Sequence, residues 1–192
     1  MGERGRTYRR PFMVSAGPLP THLLPDTAAV AEDGSLLVGG CSVVELAAEY
    51  GTPLFVYDEG HVRARCREAV AAFGEGNVVY ATKAFLCRAI ARLVHEEGLL
   101  LDVASGGELH IVLSAGVPAD QLVVHGNNKS LDELRTALTF GVHLLVVDSF
   151  DELDRLDALH AEGFPVPRVQ LRVTPGVEPA GHPISNPWRR NE

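Results

Sequence analysis

The stretch "VVYATKAFLCRAIARLVHEEG", residues 78–98, joins an apolar run typical of a strand to an apolar run with helical spacing. One lysine, Lys83, lies at the junction. Burying an ammonium group is costly, so this lysine either extends its amine into solvent or is held there as a reactive nitrogen. Partial removal from water disfavours the ammonium form and leaves a neutral nitrogen that attacks aldehydes. The residues alone leave both interpretations of Lys83 open.

The strand-then-helix pattern of this stretch recurs towards the C-terminus. Nearly continuous apolar runs predict strands at 78–82, 99–104, 121–126, 143–148 and 168–173. Helical spacing predicts helices between them at 84–97, 106–115, 130–140 and 149–162. The expected helix caps are Ser105, Ser130 with Glu133, Asp148 or Ser149, and the closing glycines Gly98, Gly116, Gly141 and Gly163. This alternation predicts an α/β fold with a parallel sheet.

Two parallel architectures fit a strand-helix unit of this length, a doubly wound sheet and a (β/α)8 barrel. A GxGxxG sequence after the first strand would favour a dinucleotide-binding sheet, and none follows Val78–Thr82. The sequence therefore favours a partial (β/α)8 barrel, with about five of its eight strands.

The N-terminal part has a different pattern. Residues 1–40 are rich in proline and glycine and predict loops with one or two short strands. A helix is predicted in "SVVELAAEYG" (42–51), a strand in "TPLFVYD" (52–58), and a helix in "DEGHVRARCREAVAAFG" (58–74). The predicted segments are an N-terminal segment at 1–58, the partial barrel at 59–175 and an irregular tail at 176–192.

Composition limits the classes of partner. A formal net charge of −8 argues against nucleic acid and anionic membranes, which attract basic surfaces. The three cysteines are widely spaced without a CxxC pattern, so neither a disulfide framework nor a metal site is predicted. No signal-peptide pattern or apolar run of membrane-spanning length is found. A cytoplasmic soluble protein is expected.

Polar residues that can carry chemistry lie at or just after the carboxyl ends of the predicted strands. In a barrel, functional side chains gather at the carboxyl ends of the strands. The residues at these ends are Lys83, Asp102, Ser105, His125, Asn127, Asn128, Asp148 and Arg172. Barrel rims are polar in any case, so position alone favours a functional site only modestly.

Five segments resemble one known family. "YATKAFLCRAIARLVHEEG" is similar to the cofactor-attachment signature of the alanine-racemase-fold decarboxylases of ornithine, arginine and diaminopimelate. "GTPLFVYDE", "LDVASGGEL", "HGNNKS" and "VTPGVE" resemble the diaminopimelate branch of that family. The likeness extends over about residues 36–178, in the family's order.

The resemblance implies the cofactor, the reaction and several residue roles. The family uses pyridoxal 5'-phosphate, and its diaminopimelate branch decarboxylates meso-2,6-diaminopimelate to L-lysine. Lys83 matches the lysine that forms the Schiff base, while Asp102 and Arg172 match cofactor-binding positions. His125 matches a strand-end residue at the mouth of the barrel and is a weaker cofactor-binding candidate. Glu108 matches an acidic position near the site, but the favoured interpretation is a first-turn glutamate that stabilises the helix dipole. The Ser105-Gly106-Gly107 turn forms a helix N-terminus able to bind an anion, but the family uses other loops for the phosphate, so turn geometry and capping are the favoured roles.

The sequence also departs from the family pattern. Family members carry an HxGS histidine, a glycine-rich phosphate loop, an EPGR glutamate and a C-terminal β-domain beyond the matched part, and none of these occurs here. The expectation is a truncated member that lacks groups needed for full activity. An inactive fragment and a single-domain pyridoxal-phosphate-binding protein of cofactor homeostasis are the alternatives left open. The resemblance implies a homodimer for full-length members, and this chain lacks part of that interface.

Overall fold

A computed structural model of the chain describes residues 21–173. Their contacts group into two units. One unit contains the chain up to Tyr80 together with Ala89–Leu100, and the other contains Ala81–Arg88 together with the chain from Leu101 onwards. The predicted tail at 176–192 lies outside the described residues, and the predicted segment boundaries stay predictions.

The first unit begins with a small antiparallel sheet. Its strands, in spatial order, are β1 (Ala29–Val30), β2 (Leu36–Val38) and β3 (Cys41–Ser42). Ala29 pairs with Leu37, and Leu37 pairs with Ser42. Strands β1 and β2 are the short strands that were expected among the loops of residues 1–40, whereas β3 was not predicted.

Two capped helices follow this sheet, both as predicted. Helix α1 (Val43–Tyr50) begins after Ser42, whose hydroxyl accepts from the Glu45 amide at 3.4 Å. Helix α2 (Glu59–Phe73) begins after Asp58, whose carboxylate accepts from the His61 amide at 3.0 Å. Each cap satisfies an amide that the helix leaves without an internal partner.

The strand predicted in "TPLFVYD" is wrong. Residues 51–58 contain no strand, and Phe55 is 87% exposed. A strand needs the hydrogen bonds of a neighbouring strand, and the described residues supply none beside this segment. An apolar, β-prone sequence is therefore not sufficient to form one.

The parallel sheet is as predicted. Its strands are β4 (Val79–Ala81), β5 (Leu100–Val103), β6 (Leu122–Val124), β7 (Leu144–Val147) and β8 (Val169–Leu171), and their spatial order is their chain order. The pairs from β5 to β8 are parallel, with Asp102 opposite Val123 and Val146 opposite Gln170. A doubly wound sheet reverses its strand order at a switch point. The unbroken order within the described residues is that of a barrel.

Three helices of the second unit begin where they were expected. They are α4 (Gly106–Ser114), α5 (Leu131–Phe140) and α6 (Phe150–Ala161), and their N-caps are Ser105, Ser130 and Ser149. The predicted capping box of Ser130 and Glu133 is present. Ser149, rather than Asp148, caps α6.

Helix α3 (Arg88–Glu96) begins later than predicted, because the expected start was residue 84. Thr82–Ala84 form a single 3-10 turn instead. No Ser, Thr, Asp or Asn lies between Lys83 and Arg88 to cap a helix there. The hydroxyl of Thr82 donates to the backbone oxygen of Asp102 at 2.7 Å and is not a cap.

The core of the second unit lies between its strands and its helices. Leu101, Leu122 and Leu145 are fully buried on successive strands, and Leu134 and Leu159 are fully buried on helices. Burial of one such side chain stabilises a fold by about 1.5–3 kcal/mol. None of the helices within 21–173 has the length and apolar character of a membrane span.

Candidate active site

The carboxyl ends of the parallel strands bring together the residues that the sequence nominated. Lys83 follows β4, Asp102 lies in β5, His125 follows β6, Asp148 follows β7 and Arg172 follows β8. All five belong to the second unit. Parallel strands present their carboxyl ends at one edge of a sheet, which is where ligands bind in α/β folds.

Lys83 lies in a turn that is held against the neighbouring strand. The preceding residue, Thr82, is 1% exposed, and its hydroxyl donates to the backbone oxygen of Asp102 at 2.7 Å. The lysine backbone is therefore fixed beside the end of β5. Thr82 was not identified from the sequence, since a buried threonine carries no local signal.

The amine of Lys83 is accessible. Its side chain is exposed, and no hydrogen bond or ion pair within residues 21–173 involves it. Of the two interpretations that the residues left open, the described residues show the exposed side chain, and the role of Lys83 as a reactive nitrogen stays a prediction. The chain has one other lysine, Lys129, which is 4% exposed and fully engaged. Lys83 thus carries the single side-chain amine that reaches solvent among the described residues.

Asp102 and His125 face each other across adjacent strands. The Asp102 Oδ2 atom lies 3.4 Å from His125 Nδ1, and the His125 amide donates to the Val103 oxygen at 2.7 Å. The second carboxylate oxygen of Asp102, Oδ1, is buried and lacks a hydrogen-bond partner among residues 21–173. A buried acceptor without a donor is costly. This oxygen therefore suits a donor that a ligand would bring.

Arg172 and Asp148 form a second pair at the same edge. An Arg172 Nη1 atom lies 3.3 Å from Asp148 Oδ1, and the Arg172 amide donates to the Val147 oxygen at 2.9 Å. The Asp148 side chain is 12% exposed, while that of Arg172 is 39% exposed. The guanidinium is thus held at the rim while it stays open to solvent.

The N-terminus of α4 is closed by the protein itself. The Ser105 hydroxyl accepts from the Glu108 amide at 3.3 Å, and Glu108 Oε2 accepts from the Ala104 amide at 2.7 Å. Glu133 Oε1 accepts from the Gly106 amide at 2.5 Å. Hydrogen bonds from the amide and the hydroxyl of Ser130, and then from Gly106, hold the pKa of Glu133 below its ordinary value. The Ser105-Gly106-Gly107 turn is therefore a capped helix start rather than an open anion site.

The "HGNNKS" segment divides into exposed and buried residues. Asn127 and Asn128 are exposed, whereas Lys129 is buried. The ammonium of Lys129 donates to the oxygens of Gly126 and Val146, both at 2.7 Å. The buried partner of Lys129, Glu152, was not identified from the sequence.

Known proteins match the chain along most of its length. The family model described as "Pyridoxal-dependent decarboxylase, pyridoxal binding domain" matches residues 59–191. The diaminopimelate decarboxylase of Mycobacterium tuberculosis is 49% identical over 165 residues, which are 85% of this chain and 37% of the relative. The protein of the same name from Actinosynnema pretiosum is 53% identical over 152 residues, which are 79% of this chain and 34% of the relative.

Solved structures show the same likeness. Diaminopimelate decarboxylase from M. jannaschii matches with a TM-score of 0.71 at 31% identity, over 83% of this chain and 38% of that chain. The lysine/ornithine decarboxylase of Vibrio vulnificus, solved with putrescine, matches with a TM-score of 0.61 at 26% identity. That match covers 76% of this chain and 38% of the other.

A parallel α/β sheet with an accessible lysine at its carboxyl edge, together with these matches, defines a pyridoxal-binding domain. The chain belongs to the family of pyridoxal-dependent decarboxylases. It spans 37% of the length of the Mycobacterium tuberculosis relative. Two predictions are confirmed. The fold is an α/β fold that forms part of a (β/α)8 barrel, and the cofactor of the family is pyridoxal phosphate.

Proposed function

We propose that this chain is the pyridoxal-binding part of an enzyme that decarboxylates meso-2,6-diaminopimelate to L-lysine. The observation that carries the proposal is the position of Lys83, in a turn that the Thr82 hydroxyl ties to the backbone oxygen of Asp102 at the end of β5. The names of the relatives support the substrate, since those that match at 44–53% identity are diaminopimelate decarboxylases. A homodimer and a cytoplasmic location stay predictions.

The described residues fit the aldehyde end of the cofactor. Lys83 offers an unengaged amine, and Asp102 offers a buried oxygen that has no donor among residues 21–173. Pyridoxal phosphate, when bound, supplies the electron sink that takes up the electron pair left by carbon dioxide. The protein has to place the reacting groups and supply the surrounding charges.

Each residue of the edge has a distinct role in this proposal. Lys83 would hold the cofactor through its side-chain amine. Asp102 accepts a hydrogen bond through Oδ1, while His125 steadies Oδ2 at 3.4 Å. Arg172, restrained by Asp148, presents a positive charge at the rim, where an anionic group of the cofactor or the substrate binds.

Release of carbon dioxide tests the proposal. The chain is loaded with pyridoxal phosphate and given carboxyl-labelled meso-diaminopimelate, with L-ornithine as the comparison substrate and Lys83→Ala as the control. Slow release of labelled carbon dioxide from meso-diaminopimelate is expected with the unaltered chain, because the HxGS, glycine-loop and EPGR motifs of the family do not occur in it, and background release is expected with the variant. Equal release by the variant, or a preference for ornithine, would contradict the assignment.

A further inference from the structure

The second lysine of the chain forms an ion pair in the interior. The side chains of Lys129 and Glu152 are 3% and 7% exposed, and Lys129 Nζ lies 2.7 Å from Glu152 Oε1. The two charges touch without the alignment of a hydrogen bond. Burying two charges costs desolvation that their attraction barely repays, and apolar residues often stabilise such a position as well or better. Stability alone is therefore a weak reason for this pair.

The contacts of Lys129 connect three separate segments. An ammonium group has three donors. Here the groups that it reaches are the Gly126 oxygen at 2.7 Å, in the turn after β6, the Val146 oxygen at 2.7 Å, near the end of β7, and Glu152, in the first turn of α6. An apolar side chain of the same length would fill the space without joining these segments.

A relay of hydrogen bonds extends from this pair to Arg172. Glu152 Oε2 accepts from the Asp148 amide at 2.9 Å. Asp148 in turn accepts from Arg172 at 3.3 Å. The buried pair therefore sets the position of the carboxylate that restrains the guanidinium at the rim.

The same ammonium also holds the turn that follows His125. Gly126 has φ +117°, and a Cβ there would lie 3.2 Å from the Ala104 oxygen and 3.7 Å from Lys129 Cγ. The turn therefore packs closely between Ala104, which follows β5, and the side chain of Lys129. His125, one residue earlier, faces Asp102 from this turn.

We propose that Lys129, paired with Glu152, is a positioning residue for the cofactor site. Its buried charge fixes the carboxyl ends of β6 and β7, and thereby sets both the Asp148–Arg172 pair and the His125–Asp102 pair. This inference rests on the proposed function for what the edge binds, but the positioning of the strand ends is measurable without any cofactor. Lys129 itself touches no reacting group.

The test removes both charges at once, because removing one would leave the other buried and unpaired. The double variant Lys129→Met/Glu152→Gln keeps the approximate volume of both side chains. Hydrogen exchange of the cofactor-free chain is followed by mass spectrometry. Amide exchange is expected to rise by ~10-fold or more in 125–130 and 146–150, while the strands at 101–103 and 122–124 stay protected.

A second readout is cofactor affinity. Titration with pyridoxal phosphate, followed by visible absorbance, is expected to show that the double variant binds the cofactor ~10-fold more weakly, the scale seen at metal sites when the groups that orient the ligands are lost. Arg135→Met/Glu162→Gln is the matched control, because it removes the exposed pair of Arg135 and Glu162 from the same unit. The control is expected to change neither readout.

The outcomes separate this inference from the proposed function. Unchanged exchange in both edge segments, or a uniform rise that includes the core strands, would overturn the positioning role. A local rise in exchange in a chain that takes up no pyridoxal phosphate would support the positioning of the strand ends and contradict the proposed function instead. The single variant Lys129→Met leaves Glu152 buried and unpaired, so it is expected to lower the free energy of unfolding of the chain in addition to raising local amide exchange.

Discussion

The two lysines of this chain show how the same side chain acquires opposite roles. Lys83 is exposed after β4, with no ion pair or hydrogen bond in the described range. Lys129 is buried, with an ion pair and two backbone oxygens as its partners. An engaged ammonium is a poor nucleophile because its proton is held by acceptors. Environment, rather than residue type, therefore makes Lys83 the candidate for cofactor attachment.

Two glycines with positive φ, Gly116 and Gly126, allow a matched test of steric crowding. Gly126 and Gly116 both have positive φ, but a Cβ meets the Ala104 oxygen at 3.2 Å only at Gly126, and nothing lies within 4 Å of one at Gly116. Gly116→Ala is expected to lower the free energy of unfolding by ~1 kcal/mol, the cost of left-handed backbone. Gly126→Ala is expected to cost ~2 kcal/mol or more, because the added carbon also crowds the backbone oxygen. Urea denaturation measures both, and equal losses would show that the close approach is unimportant.

Between elements, an ion-pair network joins α2 to the residue that follows α3. Glu97 accepts from Arg67 Nε at 2.6 Å and from Arg63 Nη1 at 2.8 Å. Arg63 also reaches Glu59 at 2.8 Å on its own helix and Glu96 at 2.8 Å on α3. Hydrogen bonds from Arg67, then from Arg63, lower the pKa of Glu97 from 4.5 to about 2.

The lowered pKa of Glu97 predicts a pH-dependent contribution to stability. Ionisation of Glu97 favours the folded state, so its contribution is complete above pH 4.5 and is lost as the pH falls towards 2. Glu97→Gln is expected to lower the melting temperature at pH 6, with a difference from the unaltered chain that shrinks towards pH 2. Circular dichroism melts at several pH values check this. A difference of constant size across that range would contradict it.

Glu96→Gln is the control for this experiment. Glu96 contacts Arg63 at 2.8 Å, but its side chain is 56% exposed, so solvent screens the pair. A smaller loss, with weaker pH dependence, is expected from this variant.

Individual elements also show where sequence patterns suffice and where they fail. Helices α4, α5 and α6 were predicted from serine caps and apolar spacing, because these signals act within a few residues. The start of α3 was predicted wrongly, because Thr82–Ala84 form a 3-10 turn instead of the first helical turn. A hydrogen bond from the Thr82 hydroxyl to a residue twenty positions away holds that turn in place. The strand in 52–58 was predicted wrongly as well, since strand formation depends on a distant partner.

For the whole molecule, the parallel sheet was predictable from the sequence, but the buried ion pair behind its carboxyl edge was not. Five largely apolar runs, each with a polar residue at or near its carboxyl end, indicate the strands and the residues at their ends, including Asp102 and Arg172. The burial of Lys129 and its pairing with Glu152 join residues that no short pattern connects. The residue pattern alone indicated only an amine at the end of a strand, and the family resemblance was needed to identify the cofactor.

Covalent capture of the cofactor distinguishes attachment at Lys83 from attachment at any other amine. The chain is incubated with pyridoxal phosphate, reduced with borohydride, digested and mapped by mass spectrometry. We expect a phosphopyridoxyl group on Lys83 and an unmodified Lys129. A label on Lys129 or on the terminal amine, without one on Lys83, would contradict it.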